Sequence, residues 1–567
     1  MIYRSPFPDI AIPDTAFAPF VLQHAERLAG KPAIIDGVTG QTFSYGELAD
    51  SVRRVAASLA QRGFRKGDVL ALFTPNRPEF FIPFLAAALL GGSATTINPL
   101  YTVDELVFQL NDARAKFLFT SPVALEKALE GQRRSQTQEV FVFGDDAPGA
   151  TSFSALLKGE GVVSPVAVDV REDVVALPYS SGTTGLPKGV MLTHRNLVAN
   201  LCQMSSLGLV REDDVIIGVL PFYHIYGLTV IVSLGLANGA TIVSLPRYDL
   251  PQMLQTMQDY RVSVGYMVPP IMLALAKQPI VDSYDLSPLR VILSAAAPLG
   301  KDLQEAVAHR LNCLVAQGWG LTETSPDATL SPLEPETVRV GSAGVCVANT
   351  ACKVIDLASG AELGPRQQGE ICVRGPQVMK GYLNNPQATA EILEPEGWLH
   401  TGDIGYFDED SYLYVVDRLK ELIKYKGMQV APAELEAALL THPAVADAAV
   451  IPIADEEAGE IPKAFVILKS ESVATADELM AYVAGRVAPH KRIRRLEFVE
   501  QIPRSASGKI LRRVLIEQER AQAPAEAPAQ SHSAEPAADP ALSSADVQSE
   551  PARASGSLWR RFFHRHS

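Results

Sequence analysis

Ten residues, Ser180-Ser181-Gly182-Thr183-Thr184-Gly185-Leu186-Pro187-Lys188-Gly189, stand between the apolar runs Val174-Val175-Ala176-Leu177-Pro178-Tyr179 and Val190-Met191-Leu192. That arrangement predicts a buried strand, then a flexible donor-rich loop, then a second ordered element. Glycine lets main-chain N–H groups turn toward an anion at φ values other residues resist, while the hydroxyls add donors and Lys188 adds charge. The loop reads as a polyphosphate cradle. It departs from a P-loop, whose Gly-Lys is followed by Ser or Thr, because the order here is Pro187-Lys188-Gly189.

Three more segments lie far downstream: Gln317-Gly318-Trp319-Gly320-Leu321-Thr322-Glu323; Gly397-Trp398-Leu399-His400-Thr401-Gly402-Asp403 with Asp417-Arg418; and Pro503-Arg504-Ser505-Ala506-Ser507-Gly508-Lys509. Singly, each is ordinary: a strand end with a helix cap, a turn, a solvated lysine. In this order after the glycine-threonine loop, they resemble the adenylate-forming superfamily of acyl-CoA synthetases, peptide-synthetase adenylation domains and luciferases. The resemblance covers about residues 1 to 515.

The resemblance implies roles. Ser180, Ser181, Gly182, Thr183, Thr184 and Lys188 hold the phosphates of ATP, and Ala296, Gln317, Gly318, Trp319 and Thr322 belong to the nucleotide site. Trp319 stands where tyrosine is usual, and an indole can still stack on a purine. Asp403 accepts from the ribose hydroxyls with Arg418 beside it. Thr184 and Glu323 are implied at Mg2+, a hard cation that seeks carboxylate and phosphate oxygens. Lys509, freed by Gly508 to act as a movable point charge, bridges the acid and the α-phosphate. A hinge is implied over 417–427 with Lys420 at its pivot. By similarity to 4-coumarate:CoA ligases, Lys426 and Gly427 contact coenzyme A, while Lys424 and Gln429 serve the adenylate.

The acid pocket resembles the family's at Leu220-Pro221-Phe222-Tyr223-His224-Ile225-Tyr226-Gly227, where His224 and Tyr226 line the site, and at Ser294-Ala295-Ala296-Ala297-Pro298-Leu299-Gly300, where Ala295 replaces a floor glycine. By register with Tyr226, Val230 falls where plant ligases carry a group that meets a phenolic hydroxyl. An isopropyl group forms no hydrogen bond, which counts against a hydroxycinnamate; the expected acid is 4-coumarate- or cinnamate-like, or a medium- to long-chain fatty acid.

The chemistry follows from the acid itself. A carboxylate is a poor electrophile; attack on the α-phosphorus of ATP turns it into an acyl-adenylate with loss of pyrophosphate, and a thiol then expels AMP. Positioning and charge neutralisation carry both steps, and no side-chain nucleophile is needed. The expected cofactors are ATP, Mg2+ and coenzyme A, with a small carboxylic acid as substrate. Alternatives are an acyl-AMP ligase loading a carrier protein, a catalytically silent nucleotide-binding scaffold, and luciferase-type oxidation.

With 567 residues and 47% hydrophobic content, the chain is long enough for several domains. Its net charge of −14 argues against a nucleic-acid partner, so the anionic cofactors need local basic islands, for which Lys188, Arg247, Arg418, Lys424, Lys426 and Lys509 are candidates. Cys202, Cys313, Cys346, Cys352 and Cys372 show no metal or disulfide spacing, which fits a reducing cytoplasm, and the start of the chain lacks a signal-peptide core. Apolar strands alternating with helices, a short core helix over Phe84 to Leu90 among them, predict an α/β fold, and the apolar run from Val215 to Val243 is interrupted by Pro221, Tyr223, His224, Gly227, Gly235 and Asn238, against a membrane span. The expected organisation is a large domain of α/β subdomains with a β-barrel-like part over 1–418, a small mobile α+β lid over 419–520, and an Ala/Pro-rich disordered tail over 521–567. The tail's basic-aromatic end suits a weak membrane-surface or partner anchor.

Overall fold

Strands covered on both faces carry near-continuous apolar runs, and that pattern accounts for the large N-terminal part of the protein. The computed structural model describes residues 1–160, 166–180, 187–426, 428–455, 457–470, 472–505 and 508–522. Its first sheet of nine strands has a parallel centre of Val69–Phe73, Ser93–Ile97, Ala115–Thr120 and Glu139–Val142. The second, also of nine strands, runs parallel through Pro32–Asp36, Thr241–Ser244, Val215–Gly218, Val264–Met267, Val291–Ser294 and Leu314–Gly320, then turns antiparallel at Asp327–Leu330.

Where the sequence suggested a β-barrel-like part, the structure has a five-stranded antiparallel sheet of Ile2–Arg4, Ala351–Ile355, Gly369–Arg374, Leu399–Phe407 and Leu413–Arg418. A separate C-terminal sheet is built on the long hairpin Val445–Asp455 and Gly459–Leu468, with the helix Pro432–Leu440 opening on a proline in its first turn. It has its own apolar core around Ile423, Leu435, Val450 and Val466. Residues Met1–Gln518 pack as one compact unit.

Two sequence expectations shift in detail. The run before the phosphate loop is two short strands, Val174–Ala176 and Tyr179–Ser180, both paired antiparallel to Lys188–Thr193, so Lys188 starts a strand and is not part of the loop. The apolar helix expected over Phe84 to Leu90 begins earlier, at Phe81, after a short turn at Pro78–Phe80, and ends at Leu89. Among the described residues, no helix is long and apolar enough to cross a membrane. In the interrupted run from Val215 to Val243, the segment Tyr226–Ser233 is a π-helix, a geometry found mostly at functional sites. It starts so close to Pro221 that a Cβ on Gly227 would lie 2.1 Å from the Pro221 carbonyl oxygen.

Candidate active site

Asp403 and Arg418 are register neighbours on adjacent antiparallel strands, which sets the Arg418 Nε 3.2 Å from Asp403 Oδ1. The second carboxylate oxygen is taken by a group from a different sheet: Trp319 Nε1 donates to Asp403 Oδ2 at 2.8 Å. Both strands carry a register shift beside these residues, at Trp319/Gly320 and Ile404/Gly405, and such irregularities re-aim side chains. Burial raises the Asp403 carboxyl above its ordinary range, opposed by Arg418 and Trp319. A hydrogen bond to a buried charged group contributes about 1.5–3 kcal/mol, so the indole is a substantial part of what keeps this carboxylate in place.

Glu323 follows in the short turn Thr322–Thr324. Its Oε1 accepts from Ser180 Oγ at 2.9 Å and from the Tyr382 hydroxyl at 2.8 Å. A chain of local contacts builds this arrangement. The capping box of Thr193 and Asn196 starts helix His194–Ser205, and Asn196 Nδ2 then holds the carbonyls of Pro376 and Val378. Next, Met379 N donates to the Glu323 carbonyl at 2.8 Å, which delivers Tyr382 on the strand Gly381–Tyr382. Lys188 Nζ sits 5.0 Å over the Tyr382 ring. Both hydroxyls bond one oxygen of Glu323, and the donor set, a carboxylate beside hydroxyls, suits Mg2+.

Lys509 reaches this group from the C-terminal part. Its turn is tied by Ser505 N to the Lys509 carbonyl at 2.8 Å and by Arg504, which bonds the Gly508 carbonyl and pairs with Asp447 at 2.7 Å. Gly508 has φ +82°, and a Cβ there would sit 3.1 Å from Val268 Cγ2 and 3.4 Å from Pro270, so glycine is needed for both conformation and clearance. Burial pushes the Lys509 ammonium down to about 8, reinforced by Arg418 and opposed by Asp403, Glu323 and Glu421. His224 is pushed down to about 3 by burial and then by Lys509, which keeps its imidazole neutral at any working pH. Its Nδ1 accepts from Tyr226 N at 3.2 Å.

The segment expected to act as a hinge is tied down by hydrogen bonds and ion pairs. Asp417 accepts from Arg418 N at 2.8 Å and Ala433 N at 3.0 Å, while Arg512 grips Glu436 at 2.8 and 2.9 Å and also pairs with Glu421. Burial lowers the Lys420 pKa and the nearby charge of Lys188 adds to it, so two cations face the same region.

Other sequence candidates lie elsewhere. Lys424 and Gln429 are register partners on the exposed hairpin of Ile423–Tyr425 and Met428–Val430, and Lys426 at its tip pairs with Glu457. Arg247 is exposed in the loop after Thr241–Ser244. The Gln317 side chain bonds the main chain of Leu299 at 3.2 Å and Gln304 at 2.8 Å, so it shapes the nucleotide segment from inside. Ala296 takes a left-handed conformation, φ +73°, just past Val291–Ser294. Val230 is fully buried in the main apolar core. Ser181, Gly182, Thr183, Thr184, Gly427 and the tail from 523 lie outside the described residues.

Sequence reasoning missed Tyr382. It belongs to no motif, and only its place after the Met379 contact shows its use.

With this geometry in place, the fold and site define an enzyme class in which a nucleotide is held between a large α/β body and a small lid. Residues 21–383 match the family described as AMP-binding enzyme, and residues 434–509 match the AMP-binding enzyme C-terminal domain. The chain belongs to the AMP-binding enzyme family. It is 44% identical over 525 residues to 4-coumarate–CoA ligase 1 of Petroselinum crispum, spanning 91% of this chain and 96% of that one. It is 45% identical over 536 residues to 4-coumarate–CoA ligase 5 of Oryza sativa subsp. japonica, spanning 92% and 98%. Among solved structures, it is similar to the anthranilate CoA ligase AuaEII in complex with anthranoyl-AMP, with a TM-score of 0.83, 26% identity, and coverage of 90% of this chain and 98% of that one.

Proposed function

We propose that the protein is an ATP-dependent carboxylic acid:CoA ligase. The observation that carries this reading is Lys509: a half-buried lysine from the C-terminal part, close enough to His224, Asp403, Arg418 and Glu323 for their charges to act on one another. In the first step, the acid's carboxylate attacks the α-phosphorus, the bond to the pyrophosphate leaving group breaks, and an acyl-adenylate forms. Lys509 neutralises the carboxylate and the α-phosphate as they approach, with no proton transfer required. Asp403, held by Trp319 and Arg418, orients the ribose and so the line of attack. Neutral His224 and Tyr226 line the acid. Glu323 and Thr184 would hold Mg2+, which when bound neutralises charge on the phosphates.

The second step needs a different surface. A thiol must reach the anhydride carbon that Lys509 covers, so the lid turns about Lys420, after which Lys424 and Gln429 replace Lys509 at the adenylate and Lys426 and Gly427 meet coenzyme A. Lys426 and Gly427 favour free coenzyme A as acceptor over a carrier protein. The 4-coumarate–CoA ligase relatives point to an aromatic propenoic acid, and the reaction needs no other partner. The tail's role as a surface anchor is tested by liposome binding after removal of residues 556–567.

The test is pyrophosphate release from purified full-length protein with ATP, magnesium and a panel of acids, followed by thioester formation with coenzyme A or a phosphopantetheinylated carrier. Acid-dependent pyrophosphate and a coenzyme A thioester are expected. No pyrophosphate with any acid would favour a silent nucleotide-binding scaffold, and thioester on the carrier alone would favour an acyl-AMP ligase.

A further inference from the structure

On the five-stranded antiparallel sheet, along the strand that carries Asp403, three kinds of metal-binding atom come together. Among the described residues, Glu370, Cys372 and His400 each place one ligand atom within 4.8 Å of the others. The sequence hid this group, because 28 positions separate Cys372 from His400 and neither stands beside another histidine or cysteine. The fold closes that gap. Glu370 and Cys372 are two apart on Gly369–Arg374 and so share a face, and Cys372 is the register partner of His400 on Leu399–Phe407. Between these pairs the partner strand runs from His400 to Ile404 while its neighbour advances only from Cys372 to Glu370, and this bulge turns Gly402 N onto Glu370 Oε1 at 2.9 Å. The other oxygen, Oε2, lies 3.1 Å from His400 Nδ1, and Cys372 Sγ lies 3.7 Å from the same nitrogen. Those lengths are close to the edges of a zinc tetrahedron: bonds of about 2.3 Å to sulfur and about 2.0–2.2 Å to nitrogen and oxygen put N···S at about 3.5 Å and N···O at about 3.4 Å.

The support behind these atoms has the same character. On the far side of the ring, His400 Nε2 is 2.8 Å from Glu394 Oε1. A metal-bound histidine almost always gives its second N–H to such a carboxylate, which sets the tautomer and the ring's orientation. Glu394 in turn meets Lys353 Nζ at 3.8 Å, and Lys353 sits 4.7 Å over the Trp398 ring. Carboxylates alone would suit a hard cation, whereas a thiol with an imidazole selects a softer one. Charge points the same way. Burial pushes the Cys372 thiol up to about 12, with Glu370 adding to it, Lys353 opposing and Glu394 adding, so the thiol by itself is inert. A dication reverses that setting, because a coordinating thiol gives up its proton to solvent outright. Glu370, Cys372 and Glu394 then carry three negative charges, of which Lys353 answers one and a divalent ion the other two.

We propose that Glu370, Cys372 and His400 form a Zn2+ site, its fourth ligand a water, that ties Gly369–Arg374 to the stretch of Leu399–Phe407 presenting Asp403. The site stands independently of the ligase reading. It also differs in chemistry from the Mg2+ ligands expected at Glu323 and Thr184, which offer oxygen only. Both protein strands that carry the zinc ligands belong to one sheet, so the ligands are held in place before the ion arrives.

The test uses the full-length, reduced protein, stripped with a chelator and dialysed, then given Zn2+ or Co2+ with magnesium in excess to fill sites built of oxygens only. One Zn2+ per chain should survive further dialysis, and the Co2+ form should show sulfur-to-cobalt charge-transfer absorption. Cys372→Ser should abolish that absorption and weaken zinc binding roughly a hundredfold or more. Glu370→Gln keeps an acceptor for Gly402 N but loses the charged ligand, and should weaken binding by roughly tenfold to a hundredfold. Glu394→Ala removes only the partner of His400 Nε2, so binding should fall about tenfold while the absorption stays. A wild type that holds no Zn2+ through dialysis, or whose Co2+ form lacks the sulfur band, would overturn the proposal without any variant and leave His400 as an imidazolium held between two carboxylates. A sulfur band that survives Cys372→Ser would put the ion at another cysteine and overturn it equally.

Discussion

The adenosine end and the acid end of the site are finished to different degrees. At the adenosine end, protein groups already occupy the carboxylates: Trp319 and Arg418 flank Asp403, and Ser180 and Tyr382 share one oxygen of Glu323. At the acid end expected from the sequence, His224 and Tyr226 bond only main chain among the contacts seen, His224 accepting from Tyr226 N and Tyr226 donating to the Leu293 carbonyl, and Val230 beside them is buried in apolar core. The difference follows from what each end must do. A nucleotide is the same molecule in every turnover, so its contacts can be preorganised in the free enzyme and lower the barrier without reorganisation. An acid has to be chosen among similar molecules, and a wall built by apolar packing chooses by size and shape.

The largest break in this comparison comes from the one residue that spans both ends. Lys509→Ala should lower acyl-adenylate formation by about 10²–10³, the scale on which a preorganised charge-stabilising donor acts. Thioester formation from supplied acyl-adenylate should stay near the wild-type rate, because that step needs Lys509 out of the way. Equal losses in the two half-reactions, followed by rapid quench, would show that the lysine holds the fold and takes no part in the chemistry. Next in size is Trp319→Phe, which keeps a ring for the purine and removes only the N–H to Asp403. The KM for ATP should rise roughly tenfold, with the acid's selectivity ratios untouched. A shift in acid selectivity would mean that the two ends are coupled and not built separately.

Much of the adenosine end was legible in the sequence because its chemistry sits in runs: Trp319, Glu323, Asp403, Arg418 and Lys509 stand in short motifs whose order carries the information. Tyr382 was not, because it is isolated: it stands in no motif, and it is the bond from Met379 N to the Glu323 carbonyl that delivers it to Glu323. The strand Ser93–Ile97 was illegible for a related reason. Its hydroxyls look like a loop, yet Ser93, Thr95 and Thr96 are buried and donate to the carbonyls of Val174, Leu177 and Tyr223 at 2.6–2.7 Å. Those bonds hold the strand leading into the phosphate loop and the segment carrying His224. Periodicity detects apolar faces and is blind to hydroxyls satisfied by a neighbouring main chain.

A pH profile sharpens the contrast without altering the protein. Lys509 is charged only below its depressed value of about 8, so the cation is lost as pH rises through that point. In kcat/KM for adenylation, which reports the free enzyme, the rate should fall about tenfold per pH unit above roughly 8, while kcat, with anions bound beside the lysine, should hold to higher pH. Lys509→Arg keeps its charge throughout and should lose this alkaline limb even at a lower rate. His224 adds no limb, since its imidazole stays neutral down to about 3. If the arginine variant keeps the limb, the titrating group lies elsewhere.

The smallest effect concerns how Lys509 is delivered. Gly508 takes φ +82° against Val268 and Pro270, at the end of the strand that carries Tyr266. Alanine there adds left-handed backbone strain of order 1–2 kcal/mol and sets its methyl 3.1 Å from Val268 Cγ2. Both penalties fall on the arrangement that places Lys509 in the site and on no other position of the lid. Gly508→Ala should therefore slow adenylation about fivefold to thirtyfold while leaving the thioester step unchanged, since a lid turned away has no such contact. Loosening the wall should return part of the loss: Val268→Ala in the same chain removes the branch that the new methyl meets, though not the strain of the turn. If the double variant were no faster than Gly508→Ala alone, backbone conformation by itself would set the cost, and the lid would press on the acid end without being shaped to it.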